Sequence, residues 1–551
     1  MTASTMAPAE RGARSRPGTA EPWAGTLALL RLYLRLDRVR IPVWTAAVGL
    51  LVAGSVASME EIYSTPESLQ ARAALMANPS AVMMTGPAFG LDNYTFGAMV
   101  ANELSLYLLL AAAIMSILLV VRHTRADEEA GRLEILRALP VGRFAPATAA
   151  ALTVTLANLL VGAALVVALV GTGMEAASSL AMGVGTALTG LVFGAVAVVT
   201  AQLTEHSRAA TGMALATLGT AFLVRAVGDV IDNQGSWLSW FSPLAWAQQT
   251  RMYVDLRWWP LALSAMTVVV LLAVAVALSQ RRDLGAGLRK GRPGPAEATR
   301  TLLSPVGLAR RLLRGAFLGW ALGTFAFALA CGSMATSLED AVVEIPELGE
   351  WIAVDLDDLT SSFAASMLSF VAVALLAFAV SAVLRLRTEE EAGRVEAVLV
   401  TGSSRLGFLG GWLGCVAVQT LLMAVLTGLG LGLGMWAVTG DVAWAGRLAT
   451  GALAYLPATY LVAAVAVALY GSAPRWATVT WLPVIWVAFT LFLGTLLDLP
   501  SWAMDLSPFT HTPLVPSADV EAAPLLAMAG LALLLTVVGF VTYRRRDIVP
   551  G

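Results

Sequence analysis

Two charged stretches hold the residue types that could do chemistry here. Asp127, Glu128, Glu129, Arg132 and Glu134 stand together in RHTRADEEAGRLEILRALPVGR, residues 122–143. Glu389, Glu390, Glu391, Arg394 and Glu396 repeat them in RLRTEEEAGRVEAVLVTGSSR, residues 385–405, and the same offset carries Arg143 onto Arg405. Mixed signs over two helical turns suit recognition by ion pairing rather than bond-making. Glu128 and Arg132, at i and i+4, would add a few tenths of a kcal/mol (about 0.2–0.5) to a helix. Leu133, Ile135 and Leu136 lie among these charges, as do Val395, Ala397 and Val398 in the second copy. A solvated helix held by its own ion pairs needs no particular residue order. Two copies in one register point instead to docking on something outside the apolar body of the chain.

Little else in the chain is equipped for catalysis. His123 and His206 flank apolar runs and His511 falls in a loop, so the three are expected to be solvated or capping rather than a metal set. Cys331 and Cys415 sit inside apolar runs and are expected to be packing residues. Serines are many, but no Gly-x-Ser-x-Gly elbow accompanies them. Lys290 is the only lysine, preceded by Arg289 and followed by Gly291, so the Gly-Lys-Ser/Thr of an ATP-binding P-loop is absent. The chain is therefore expected to be no enzyme and to bind no cofactor or metal directly. Its net charge of −2 offers no nucleic-acid footprint.

The elements that must position the charged stretches are membrane spans. The 551 residues are 58% hydrophobic and 13% charged, with a mean hydropathy of +0.75, where a soluble domain carries roughly 25% charged residues. About twelve runs approach the 20 apolar residues a spanning helix needs. They are 41–59, 99–121, 144–170, 178–202, 210–231 and 260–279, then 315–336, 361–384, 408–437, 446–470, 477–497 and 524–543. Residues 1–25 are expected to be a disordered tail. Residues 26–283 form a first half, 284–303 a linker and 304–551 a second half. The charged helices are expected at 124–140 and 386–402. Thr26–Arg38 sets Arg31, Arg35 and Arg38 on one face and Leu27, Leu30 and Leu34 on the other, which predicts an interfacial helix. Gly307–Arg314 is expected to do the same before the second half.

Arginine asymmetry orients this bundle. The arginine-bearing segments are the N-terminal tail, 122–143, 281–314, 385–405 and Arg544-Arg545-Arg546. That places both termini and both charged stretches in the cytoplasm, with the two halves parallel. Residues 337–358, with eight carboxylates and no basic residue, fall outside. The other outer segments hold Asn78-Pro79-Ser80, Gly86-Pro87-Ala88-Phe89-Gly90, and tryptophans beside Ser242-Pro243 and Ser507-Pro508. They fit either short re-entrant helices or an ordinary aromatic belt. Arg225 and Asp229 lie one turn apart in an apolar run, and Glu103 opens the second span beside Asn102. A structural pair and a gating role both stay open for these intramembrane charges.

With repeat, topology and loops in hand, the chain resembles ABC-2 exporter permeases, in the fused, double-length form of actinobacterial antibiotic and multidrug efflux systems. DEEAGRLEILRALPVGR, EEEAGRVEAVLVTGSSR, the NPS and GPAFG segments and RRDLGAGL carry the resemblance, which covers the chain from about Thr26. It implies an all-α fold of two parallel six-span repeats in the plasma membrane. The helix between spans two and three of each half would dock into a separate, homodimeric ATPase that holds ATP and Mg. Asp127–Leu136 and Glu389–Val398 match that coupling position. The copies diverge where Leu139-Pro140-Val141-Gly142 becomes Thr401-Gly402-Ser403-Ser404. The cargo would be hydrophobic or amphipathic compounds, passing between the halves along spans two and five. Met115, Phe222, Phe370 and Trp486 are the candidate lining. An ion- or proton-coupled secondary transporter is the alternative, and it asks for carboxylates or histidines deep in the spans. A membrane enzyme such as a lipid-modifying transferase asks for a polar cluster with a base at one interface, and the acidic segment 337–358 lacks one.

Overall fold

The structure, a computed structural model, describes residues 22–77, 79–137, 139–142, 144–281, 287, 288, 297, 299–335, 359–494 and 499–547. The N-terminal tail to residue 21, Asn78, Arg143, most of the 284–303 linker and the acidic segment 337–358 lie outside them. Among the described residues every regular element is helical. Long runs of Ala, Leu, Val and Gly leave no polar side chain to satisfy the backbone, so in an apolar setting it must bond to itself as helix.

The chain separates into two compact units, 1–73 with 85–292 and 74–84 with 293–551. In the first, α1 (Thr26–Leu36) leads into α2 (Arg40–Ile62), followed by short α3 (Pro66–Met76). Another short helix, α4 (Pro79–Thr85), falls mostly in the segment assigned to the second unit, whose core Met84 joins. Then come α5 (Phe96–Val121), α6 (Arg132–Arg137), α7 (Ala145–Gly171), α8 (Ala176–Leu203) and α9 (Ser207–Ile231). Short α10 (Pro243–Gln248) and the apolar α11 (Pro260–Ser279) complete the unit.

The second unit runs α12 (Pro305–Gly332), α13 (Leu359–Glu391), α14 (Arg394–Leu399), α15 (Arg405–Thr439), α16 (Ala443–Gly451) and α17 (Leu456–Ser472). It ends with α18 (Trp481–Leu493), α19 (Ser501–Asp505) and α20 (Ala522–Arg545). Side chains set several starts: Thr95 caps α5, Glu175 caps α8, Ser304 caps α12 and Ser404 caps α15. Ser242 caps α10, so the first Ser-Pro pair does open a short helix.

Eleven helices among the described residues are long and apolar enough to cross a membrane. The one expected span missing from these, 477–497, is divided. A 3-10 segment, Pro474–Thr480, runs into α18. Pro474 opens the first piece and Pro483 sits in the first turn of the second, where a missing N–H is tolerated. The tandem still rises about 34 Å, enough for a hydrocarbon core of about 30 Å.

The same spans are innermost in both units. Of the apolar windows, 67% is buried in α5 and α8, against 22% in α2 and 17% in α11; in the second unit α13 reaches 61% against 17% for α20. The charged stretches thus follow directly from one of the two most buried spans of the first unit and from the most buried span of the second. Helices approach closely where both partners are glycine. A Cβ on Gly162 would meet the Gly183 carbonyl oxygen at 2.7 Å, and one on Gly471 would meet that of Gly539 at 2.3 Å.

The entrances differ. α1 is a separate helix, but Gly307–Arg314 is the first part of the unbroken 28-residue α12, a correction to the expectation of a second interfacial helix. Ser304-Pro305 starts that helix, which continues without a break through Gly307 and Gly315 into the span. The buried stripe of α1 is Leu29 and Tyr33, against Ala145, Ala149 and Ala150, whereas Leu27 is exposed.

Candidate functional site

Neither charged stretch is the single helix expected at 124–140 or 386–402. In the first, α5 widens into a π turn over Arg122–Ala126 and regains α geometry at Asp127–Glu129. Gly131 then turns with φ +71° and α6 begins at Arg132. In the second, α13 runs unbroken to Glu391, Gly393 turns with φ +69°, and α14 begins at Arg394. A left-handed residue just past a helix end is the usual glycine stop. Nothing lies within 4 Å of a Cβ built on either glycine, so the requirement is conformational and not one of space. Each stretch is an elbow with glycine at the bend.

One ion pair bridges each bend at matching positions. Arg132 Nη1 donates to Asp127 Oδ1 at 2.9 Å, and Arg394 Nε donates to Glu389 Oε2 at 2.5 Å. This replaces the expected Glu128–Arg132 pair, because the bend takes Arg132 out of helical register. Glu128 accepts instead from the buried Arg125, at 2.7 Å. Asp127 and Glu389 are buried while their arginines are mostly exposed. The hydrogen bond to Glu389 holds the Arg394 guanidinium above its ordinary pKa.

The remaining carboxylates tie each elbow to other spans. Glu129 Oε2 accepts from the Ser207 backbone N at 2.9 Å and the Ser207 hydroxyl at 2.6 Å, and Oε1 is 3.3 Å from His206 Nδ1. It thereby caps the first turn of α9. Glu391 accepts from Arg387 at 2.6 Å, and Arg387 also donates to the Arg475 carbonyl at 3.3 Å. Glu390 is buried and takes both terminal nitrogens of Arg546, at 2.5 and 2.6 Å, together with the Tyr470 hydroxyl at 2.6 Å.

The expected apolar docking stripe is only partly available. Val395 is buried in the core of its own unit, and Val398 packs against that core. A helix beginning straight after a tight turn folds back on the span it left. The outward surface of α14 is therefore Glu396 and Ala397, with Val400 just beyond, and that of α6 is Glu134 and Ile135, with Leu133 half-buried. The Leu136 side chain lies outside the described residues.

Arg225, Asp229 and Glu103 each have an oppositely charged partner. Arg225 and Asp229 pair at 3.1 Å, both fully buried, and Ser239 Oγ donates to Asp229 at 2.5 Å, which fastens α9 to the turn beyond it. Glu103 takes Arg72 bidentately at 2.8 and 2.7 Å. Burial opposes the Arg72 charge, and the Glu103 hydrogen bonds and charge outweigh it, so its pKa ends above the ordinary value. Beside them the Asn102 amide donates to the Phe89 carbonyl at 3.0 Å, and Arg251 lies 4.8 Å over the Phe89 ring. The Gly86–Gly90 loop is thus pinned to the second span.

Met115 is buried in the first core and Phe222 packs against that core, 5.1 Å from the Arg225 guanidinium. Phe370 and Trp486 are half-buried in the second unit, with Trp486 stacked 5.6 Å from Phe489.

His123 was expected to be solvated or capping and is neither. It is buried, paired with the fully buried Asp37, and stacked 4.4 Å from Tyr33. Arg40 and Arg122 also reach Asp37, at 3.2 and 3.4 Å. Asp37, the lone acid in the arginine-rich LRLDRVR, was the available signal. His206 and His511 are exposed, as expected.

A family model described as the C-terminal domain of multidrug efflux system permease Rv1217c matches residues 302–544. The multidrug efflux system permease protein Rv1217c of Mycobacterium tuberculosis is 37% identical over 545 residues, covering 97% of each chain.

Proposed function

Because the chain belongs to the multidrug efflux system permease family, we propose that it is the membrane subunit of an ATP-binding-cassette exporter. It moves hydrophobic or amphipathic compounds outward, on ATP and Mg held by a separate ATPase. The observation that carries this reading is the duplicated elbow: an arginine–carboxylate pair across a glycine bend, at matching positions of both units. A solvated loop has no need of that geometry twice. Two elbows fit two copies of one ATPase subunit, and the arginine-rich segments put both elbows and both termini on the cytoplasmic side of the cell membrane.

In this mechanism, nucleotide binding draws the two ATPase subunits together and displaces the elbow helices docked on them. Glu134 and Ile135 on one elbow, and Glu396, Ala397 and Val400 on the other, form the docking surface. The ion pair across each bend resists flexing there, so displacement passes into α5 and α13, the innermost spans. Glu129 hands the same motion to the first turn of α9. Met115, Phe222, Phe370 and Trp486 are the candidate contacts for the compound. Met and aromatic side chains suit bulky cargo of varied shape because they repack readily.

Association tests the reading. The permease purified in mild detergent with its partner ATPase should hold two ATPase copies per chain. Reversing Glu134 and Glu396 together should release them while the permease stays folded. A permease that binds no ATPase under these conditions contradicts the proposal.

A further inference from the structure

Arg545-Arg546-Asp547 closes the last span, echoing Arg281-Arg282-Asp283 after the sixth, and the mechanism above gives the motif no task. In the structure Arg546 is where both ends of the second elbow meet. At the near end its guanidinium takes Glu390 bidentately. At the far end Arg405, first residue of α15, donates through Nη1 to the Arg546 carbonyl at 2.7 Å and the Arg544 carbonyl at 3.4 Å. The whole bend, residues 390–405, is therefore closed onto one residue of the C-terminal segment.

The surroundings make this a firm junction. The Arg546 guanidinium lies 5.0 Å from the Tyr470 ring centre and 5.1 Å from that of Tyr543, and those rings stack 5.6 Å apart. Tyr470 also donates to Glu390. Burial works against the Arg546 charge, and the hydrogen bonds and charge of Glu390 overcome it, leaving its pKa above the ordinary value. Tyr470 belongs to α17 and Tyr543 to α20, and at this end the two helices touch through Gly471 and Gly539 with no room for a side chain. A push on one is a push on both.

We propose that Arg546 is a positioning residue that clamps the second elbow to the α17–α20 pair, so that elbow displacement drives the last span as well as α13. The proposal takes its source of motion from the ATP-driven reading, but the clamp itself is a claim about which parts move together.

The test uses the full permease with its ATPase in proteoliposomes, comparing wild type, Arg546→Gln and Arg546→Lys. Compound moved per ATP hydrolysed should fall by about 5- to 150-fold in Arg546→Gln, the range of ordinary inter-site coupling, with ATPase content unchanged. Arg546→Lys, which keeps the charge over both rings, should recover part of the loss. An unchanged ratio in Arg546→Gln overturns the clamp. Should that variant fail to assemble, spin labels at the exposed Ala392, off the docking surface, and Val541 decide the matter in the otherwise wild-type chain. Their separation should stay constant between resting and nucleotide-trapped states, and a changed separation overturns the clamp. If wild-type export ignores ATP, the exporter reading fails instead, and the same labels compared with and without the gradient that does drive export still judge the clamp.

Discussion

Glu129 caps the helix that begins at Ser207: one carboxylate oxygen accepts both the backbone N–H and the hydroxyl of that serine. The residue joins the first elbow to the fifth span although 78 positions separate the two. Glu129→Ala should cost about 1 kcal/mol, the value of a lost cap, and should lower cargo-stimulated ATPase turnover by weakening the hand-over to α9. A thermal melt and an ATPase assay on the reconstituted complex check both. Unchanged values in the two would remove Glu129 from the mechanism.

The glycine bends make a second prediction. An alanine at position 131 or 393 meets no neighbour, so any effect must come from backbone conformation. Holding a non-glycine residue in the left-handed region costs about 1–2 kcal/mol, enough to favour straightening the elbow. Gly131→Ala with Gly393→Ala should leave the bundle folded but weaken ATPase binding. Gly→Asn at the same sites should be milder, since Asn tolerates this region better. Co-purification yield measures the difference, and equal yields for the two substitutions would contradict it.

Much of this was legible in the sequence, and the misses have physical causes. The repeat, the spans and the elbow positions follow from hydropathy and register alone. The bend itself was signalled by glycine after a run of acids, a helix stop that the surrounding charge pattern disguised as continuous helix. Ion pairing at i,i+4 assumes that continuity, which is why Glu128–Arg132 was expected where Asp127–Arg132 occurs. His123 depends on Asp37, in a different helix, and Val395 on which way a short helix folds after its turn. Neither can be obtained from spacing along one segment. The assignment of 74–84 to the second unit is likewise a packing fact with no local signal.

Arg225 and Asp229 separate structure from gating. Removing one partner of a buried pair costs about 3–5 kcal/mol, whereas an apolar replacement of both is often close to neutral. Asp229→Ala should therefore melt well below wild type, and Arg225→Met with Asp229→Leu should recover most of the loss. If the recovered double variant also transports normally, the pair is a staple. If it is stable but inactive, the charges act in gating.

The central claim is that the work of export enters through the elbows from a separate ATPase. Proteoliposomes holding the permease alone, or the permease with its ATPase, should be loaded with a fluorescent amphipathic cation and given either ATP or a proton gradient. The account predicts ATP-dependent movement only where both proteins are present, abolished when Glu134 and Glu396 are reversed together. Movement by the permease alone under a proton gradient would contradict it.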